Sequence, residues 1–166
     1  MVSFFKYRVI FSKSPFQKIK KSLIKAQNKY EIGGILLGYK ILNFYFIIDV
    51  TIPKNINKKS MVSFVLDGEE HSKLASEIIK SYLYKPSVLG IWHSHICSGT
   101  TFSTQDKISN KEMACFLNGT LSMLVTMNNG KFFKKVYYIY PSGKHILCKT
   151  YKNLGNKKSL QITKTN

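Results

Sequence analysis

The chain has 166 residues, 44% of them hydrophobic, and a formal net charge of +18. That length and apolar fraction fit one globular domain with a real core, and no run of about 18 apolar residues exists to span a membrane. Cys97, Cys115 and Cys148 are a scattered, odd set with no Cys-x-x-Cys pair; they suit a reducing cytoplasm and exclude an all-cysteine zinc finger.

The charge invites a nucleic-acid reading. Nearly all of it is lysine, with Arg8 the only arginine, whereas recognition of phosphate and base edges favours arginine. The abundance of Lys, Asn, Ile and Tyr looks like the codon usage of an AT-rich genome. In linear order the lysines are spread along the chain without the aromatic interleaving of a stacking platform. Weak electrostatic association is expected, and a nucleic-acid partner is disfavoured.

In chain order, Ser3–Phe11 reads as a first strand, with charges inside its apolar run that do not fit a signal peptide. Ser14-Pro15-Phe16-Gln17 opens a helix, with Ser14 as N-cap and Pro15 at its first position; Phe16, Ile19, Leu23 and Ala26 share its inward face. That helix gives out near Asn28-Lys29-Tyr30, which places Glu31 at a helix-to-strand junction. Gly33-Gly34 offer flexibility or room for another backbone. Ile35–Leu42 and Phe44–Ile52 form a hairpin whose long apolar runs predict burial on both faces. Residues 54–60 are a solvated loop, Met61–Leu66 a short strand, and Glu69–Tyr84 a helix carrying His71 in its first turn. His71 beside Glu69 and Glu70 reads as a surface histidine in preference to a metal ligand.

Val88–Trp92 is an apolar strand that runs on into His93-Ser94-His95. Residues two apart on a strand point to the same face, so His93 and His95 point together. A Ser/Gly/Thr loop follows, and Ser103-Thr104-Gln105-Asp106 opens a helix over Thr104–Leu117 that Gly119 terminates. Leu121–Met127, Phe132–Tyr140 and His145–Tyr151 are three further strands, with His145 structural. From Asn153 onward the chain is a polar, Lys-rich tail. The order predicts a single α/β domain of α+β type over residues 1–152, with a curved, mostly antiparallel sheet, followed by the tail 153–166.

Two imidazoles and one carboxylate match the ligand count of a catalytic zinc site with a fourth position open to water. Plainer readings exist for each half. A lone His-x-His is usually two solvated or buried histidines, and Ser103-x-x-Asp106 is equally a plain helix N-cap. The combined spacing separates them: with four His, three Asp and 17 Ser, its chance occurrence is about one in ten thousand. If the strand continues, Cys97 falls in register with the two histidines, but a fourth protein ligand would close the site against catalysis.

His93-x-His95, seven residues, then Ser103-x-x-Asp106 resembles the motif of the JAMM (MPN-plus, or JAB) zinc metallopeptidases. The context Glu31-Ile32-Gly33-Gly34-Ile35-Leu36-Leu37-Gly38 resembles that around the family's catalytic glutamate. The resemblance covers roughly residues 1–150 and implies an MPN/JAB-like domain whose sheet is flanked by helices, with the site near one edge. It further implies Zn²⁺ on His93, His95 and Asp106, Glu31 as general base, and a Ser103 hydroxyl that helps stabilise the oxyanion. Ile96 and Phe102 stand where the family usually has proline, which bears on loop geometry and substrate fit more than on metal binding.

The family cleaves isopeptide or peptide bonds that follow the C-terminal tail of ubiquitin or a ubiquitin-like protein. The short chain, and the stretches Ser63–His71 and Gly90–His95, are similar to stand-alone bacterial members encoded beside E1/E2-like proteins. Those in anti-phage (CBASS-type) systems remove a conjugated nucleotidyltransferase of the CD-NTase type, and others trim sulfur carriers. Three functions remain open: a cytoplasmic zinc isopeptidase, a catalytically silent scaffold, or a basic nucleic-acid module.

Overall fold

A computed structural model describes residues 6–27, 29–53, 68–96 and 101–152. The expected loop 54–60, the strand 61–66, Cys97 and the tail 153–166 lie outside the described residues. Strands β1 (Arg8–Phe11), β2 (Gly33–Ile41), β3 (Phe44–Val50) and β4 (Ser87–Ser94) are interleaved with helices α1 (Lys13–Ala26) and α2 (Gly68–Lys80). Helix α3 (Thr104–Phe116) then leads to β5 (Thr120–Asn128), β6 (Lys131–Ile139), β7 (His145–Leu147) and β8 (Lys149–Lys152).

Among the described residues, the eight strands join one sheet in the order β7-β6-β5-β4-β2-β3-β1-β8. The expectation of a mostly antiparallel, helix-flanked curved sheet of MPN type is not met. β1 runs parallel to both β3 and β8, and β4 parallel to β5; the remaining pairs are antiparallel. The sheet is mixed because α3 carries the chain back between β4 and β5, and parallel neighbours need such a crossover.

The expected single strand His145–Tyr151 is also divided. Cys148 donates its N–H to Val136 O (2.8 Å), while Lys149 donates to Tyr7 O (3.1 Å). One residue thus takes the chain from the β6 edge to the β1 edge, and the sheet curls into a nearly closed barrel. Only the α+β class of the expected architecture stands.

The barrel interior holds Trp92, Phe11, Leu36, Ile47, Leu121 and Met123, and α1 contributes Ile19, Leu23 and Ala26 to it. The inward face predicted for that helix is therefore the one used, with Phe16 packed at its margin. Its start differs. Ser12, not Ser14, is the N-cap, and its side chain makes no cap bond. The Ser12 N–H donates to Ile47 O (2.9 Å) and its hydroxyl to Ile48 O (3.1 Å), so this residue still belongs to the sheet.

β2 is buried from Gly33 to Gly38, but β3 alternates between buried and half-buried residues; burial on both faces holds only for the first of the pair. Helix α2 covers Ile35 and Leu37 on the outer face through Ala75, Ile78 and Ile79. It ends at Lys80, short of Tyr84, where the Ser81 hydroxyl donates to Ile78 O (2.7 Å). Among the described residues no helix is long and apolar enough to cross a membrane.

Candidate metal centre

β4 is the organising strand. Its partners are antiparallel β2, with Gly33 opposite His93 and Gly34 opposite Trp92, and parallel β5, with His93 beside Leu124. Pairing continues one residue past the strand, since the His95 N–H donates to Val125 O (3.0 Å). Trp92 therefore turns into the core, and His93 and His95 share the opposite face, their ring centroids 5.0 Å apart. Gly34 is required here. A Cβ on it would lie 2.1 Å from Thr51 O and 2.9 Å from Trp92 Nε1, so this glycine serves the close backbone approach.

The carboxylate arrives from α3. Ser103 is its N-cap: its Oγ accepts the Asp106 N–H (3.1 Å), and its own N–H donates to Asp106 Oδ2 (2.7 Å). This reciprocal box fixes the Asp106 side chain while leaving its oxygens facing the histidines. Asp106 Oδ1 lies 3.1 Å from His93 Nε2, and Oδ2 3.3 Å from His95 Nε2. The two Nε2 atoms are 3.1 Å from each other. A tetrahedral zinc with ligand bonds of about 2.0–2.1 Å has ligand-to-ligand edges of about 3.3 Å. The two Nε2 atoms stand about one such edge apart, each with its own oxygen of the Asp106 carboxylate at a similar distance, and two imidazole nitrogens with one carboxylate are a zinc donor set. The residues present fit the metal. Among the described residues, this is the one group of three or more His, Cys, Asp or Glu so arranged.

Burial alone would raise the Asp106 carboxyl, but hydrogen bonds from His93 and His95, the charge of His93 and the bond to Ser103 outweigh it. They hold the group well below the usual carboxylate range.

Glu31 is brought to the same place by backbone pairing. The Ile32 N–H donates to Ser94 Oγ (2.9 Å) and the Ser94 N–H to Ile32 O (2.7 Å), which fastens the start of β2 to the end of β4. The half-buried Glu31 carboxyl is raised by burial, lowered in part by the charges of His95 and His93, raised by Asp106, and hydrogen-bonded by the Ile96 N–H. It ends above the ordinary glutamate value. The structure thus gathers Glu31, His93, His95, Ser103 and Asp106.

Ser94 was not foreseen in the sequence. It faces away from the two histidines and is buried, and no local pattern marks its bond to Ile32 across 62 residues. His71 departs from expectation altogether. It is fully buried, its Nδ1 lying 2.7 Å from Thr51 Oγ1, because the sheet-facing side of α2 carries it inward. It is not part of the ligand group. His145 is exposed and packs edge-on to Phe102 (5.3 Å), which also meets Tyr137 (4.9 Å). An aromatic contact therefore anchors the residue before Ser103.

No protein-family model and no curated protein matches this chain. The fold is similar to solved structures, among them the solution structure of a structural-genomics target protein from Desulfitobacterium hafniense. That protein is 17% identical, with a TM-score of 0.70 over 90% of this chain and 95% of its own.

Proposed function

We propose that this chain is a zinc-dependent metallopeptidase that hydrolyses the amide or isopeptide bond following the extended C-terminal tail of a ubiquitin-like or similarly conjugated protein. The observation that carries the reading is the convergence of His93 Nε2 and His95 Nε2, 3.1 Å apart, on the Asp106 carboxylate, whose Oδ1 lies 3.1 Å from the first and whose Oδ2 lies 3.3 Å from the second, with Glu31 beside it. His93, His95 and Asp106 would hold the ion. When bound, zinc supplies a Lewis acid that acidifies water and polarises the scissile carbonyl.

Glu31 takes the proton of the attacking water and returns it to the leaving nitrogen. Ser103 keeps Asp106 in place through its oxygen and has a hydroxyl proton left to donate to an oxyanion.

Substrate class and setting rest on the motif resemblance. A deconjugating role beside E1/E2-like proteins, with a CD-NTase-type nucleotidyltransferase as the conjugated protein, follows from the stand-alone bacterial members that the chain resembles. A cytoplasmic location accords with the free thiols of Cys115 and Cys148.

The test uses zinc-loaded protein and a ubiquitin-like protein with a fluorophore amide-linked to its C-terminus. Wild type is expected to release the fluorophore. Glu31→Gln should keep its zinc and slow release by a factor of about 10²–10⁴. Equal rates in both proteins would remove Glu31 from the mechanism. A zinc-bound wild type that cleaves no such amide would instead favour a silent scaffold.

A further inference from the structure

All eight acidic residues fall between Glu31 and Glu112. Residues 1–30 carry eight Lys or Arg and residues 113–166 carry nine, with no carboxylate in either segment, whereas residues 31–112 are nearly balanced, nine against eight. Compositional bias toward lysine does not account for that partition. The fold then places the two acid-free segments side by side, because β1 pairs in parallel with β8.

The outer face of this region is neither apolar nor purely basic. Cross-strand register aligns Ile41, Phe44, Arg8 and Lys149 in one row. The next row holds Tyr39, Phe46, Ile10 and Tyr151. Their neighbours Val9, Phe11, Tyr45 and Ile47 point into the core, so both rows face outward. Ile41 is 59% exposed and Tyr151 37%. The cations sit among the rings: Arg8 lies 5.2 Å from the Phe44 centroid and Lys149 5.4 Å from that of Tyr151. Aromatic interleaving that is missing along the chain is supplied across strands.

We infer that this outer face of β2-β3-β1-β8 binds single-stranded nucleic acid without sequence preference. Flat rings accept bases of any identity, and cations between them meet the phosphates. Reliance on lysine, with a single arginine, suits backbone neutralisation more than base readout. Tyr39 is six residues along β2 from Gly33, the partner of His93, or roughly 20 Å at strand rise. The surface is therefore separate from the candidate metal centre and stands whether or not that centre is catalytic.

Anisotropy of a fluorescent 20-nucleotide oligo(dT), titrated with the full chain at low and at moderate salt, reads the interaction. Wild type should bind, with affinity falling steeply as salt rises. Arg8→Gln/Lys149→Gln should weaken binding about tenfold or more. Tyr151→Ala should weaken it about fivefold or more, Tyr151→Phe should bind as wild type, and Lys73→Gln on α2 should change little. Thermal melts establish that each variant is folded. No binding at low salt, or unchanged binding in the face variants, would overturn the inference. Loss in the charge variant with none in Tyr151→Ala, or displacement by poly-glutamate at equal charge, would assign the face to an acidic protein and likewise overturn it.

Discussion

Two histidine groups lie beside the same strands, and only one of them brings two imidazoles together with a carboxylate. At His71, Thr51 Oγ1 accepts the Ile35 N–H (2.7 Å) and lies 2.7 Å from Nδ1, while Thr51 O accepts Trp92 Nε1–H (3.1 Å). Each of those contacts joins two protein groups, and the result is a knot tying α2, β2 and β4 together. At His93 and His95, two imidazoles and one carboxylate converge, each ring nitrogen within 3.3 Å of an Asp106 oxygen and 3.1 Å of the other ring, an arrangement that could hold a metal ion. Burial does not distinguish the two, since His71 is 0% exposed and His93 2%. Convergence does.

Gly34 lies between the two groups and gives the largest expected disturbance. In Gly34→Ala the new Cβ would strike Thr51 O, so stability should fall by about 3 kcal/mol or more, with weaker zinc binding because β2 also positions β4. Denaturant melts and chelator competition read both effects; a variant as stable as wild type would mean that the close approach is not required.

Zinc itself is next. At a concentration 100-fold above its Kd it should stabilise wild type by about 2.7 kcal/mol, and Thr51→Val should show the same increment. Without zinc, Thr51→Val should be less stable by about 2 kcal/mol, because the buried Ile35 N–H loses its acceptor. If Thr51→Val lost the zinc increment, the two histidine groups would not be independent.

The smallest effect concerns Lys134. Burial, with the nearby charge of Lys152, lowers its ammonium from the ordinary 10.5 to about 8, although the Phe11 and Phe16 rings, each 4.8 Å away, offset part of that cost. Between pH 8 and 10.5 the unfolded chain holds a proton that the folded chain lacks, so wild-type stability should rise with pH across that window. Lys134→Met, without that titration, should be slightly more stable at pH 7, its advantage shrinking as pH rises through the window. Parallel pH profiles of the two proteins would refute the assignment.

The convergence of His93, His95 and Asp106 was legible because it is local: a period-two strand brings His93 and His95 together, and a helix cap aims Asp106. Glu31 was signalled only by its resemblance to a motif, since its approach depends on Ile32 pairing with Ser94, 62 residues away. The inward turn of His71 was hidden by the carboxylates beside it, of which Glu69 is exposed and Glu70 half-buried. The sheet order was hidden for the same reason as the charged face. Both rest on β1 meeting β8 in parallel, a contact between chain ends that no local pattern announces. The break at Cys148 was unreadable because no glycine, proline or other turn residue marks the run His145–Tyr151.

The most direct test of the central claim is the metal content of purified protein supplied with zinc at neutral pH, wild type beside Asp106→Ala. One zinc per wild-type chain, largely lost in the folded variant, is the expected result. No zinc in either protein would contradict the metal centre and the proposed peptidase with it.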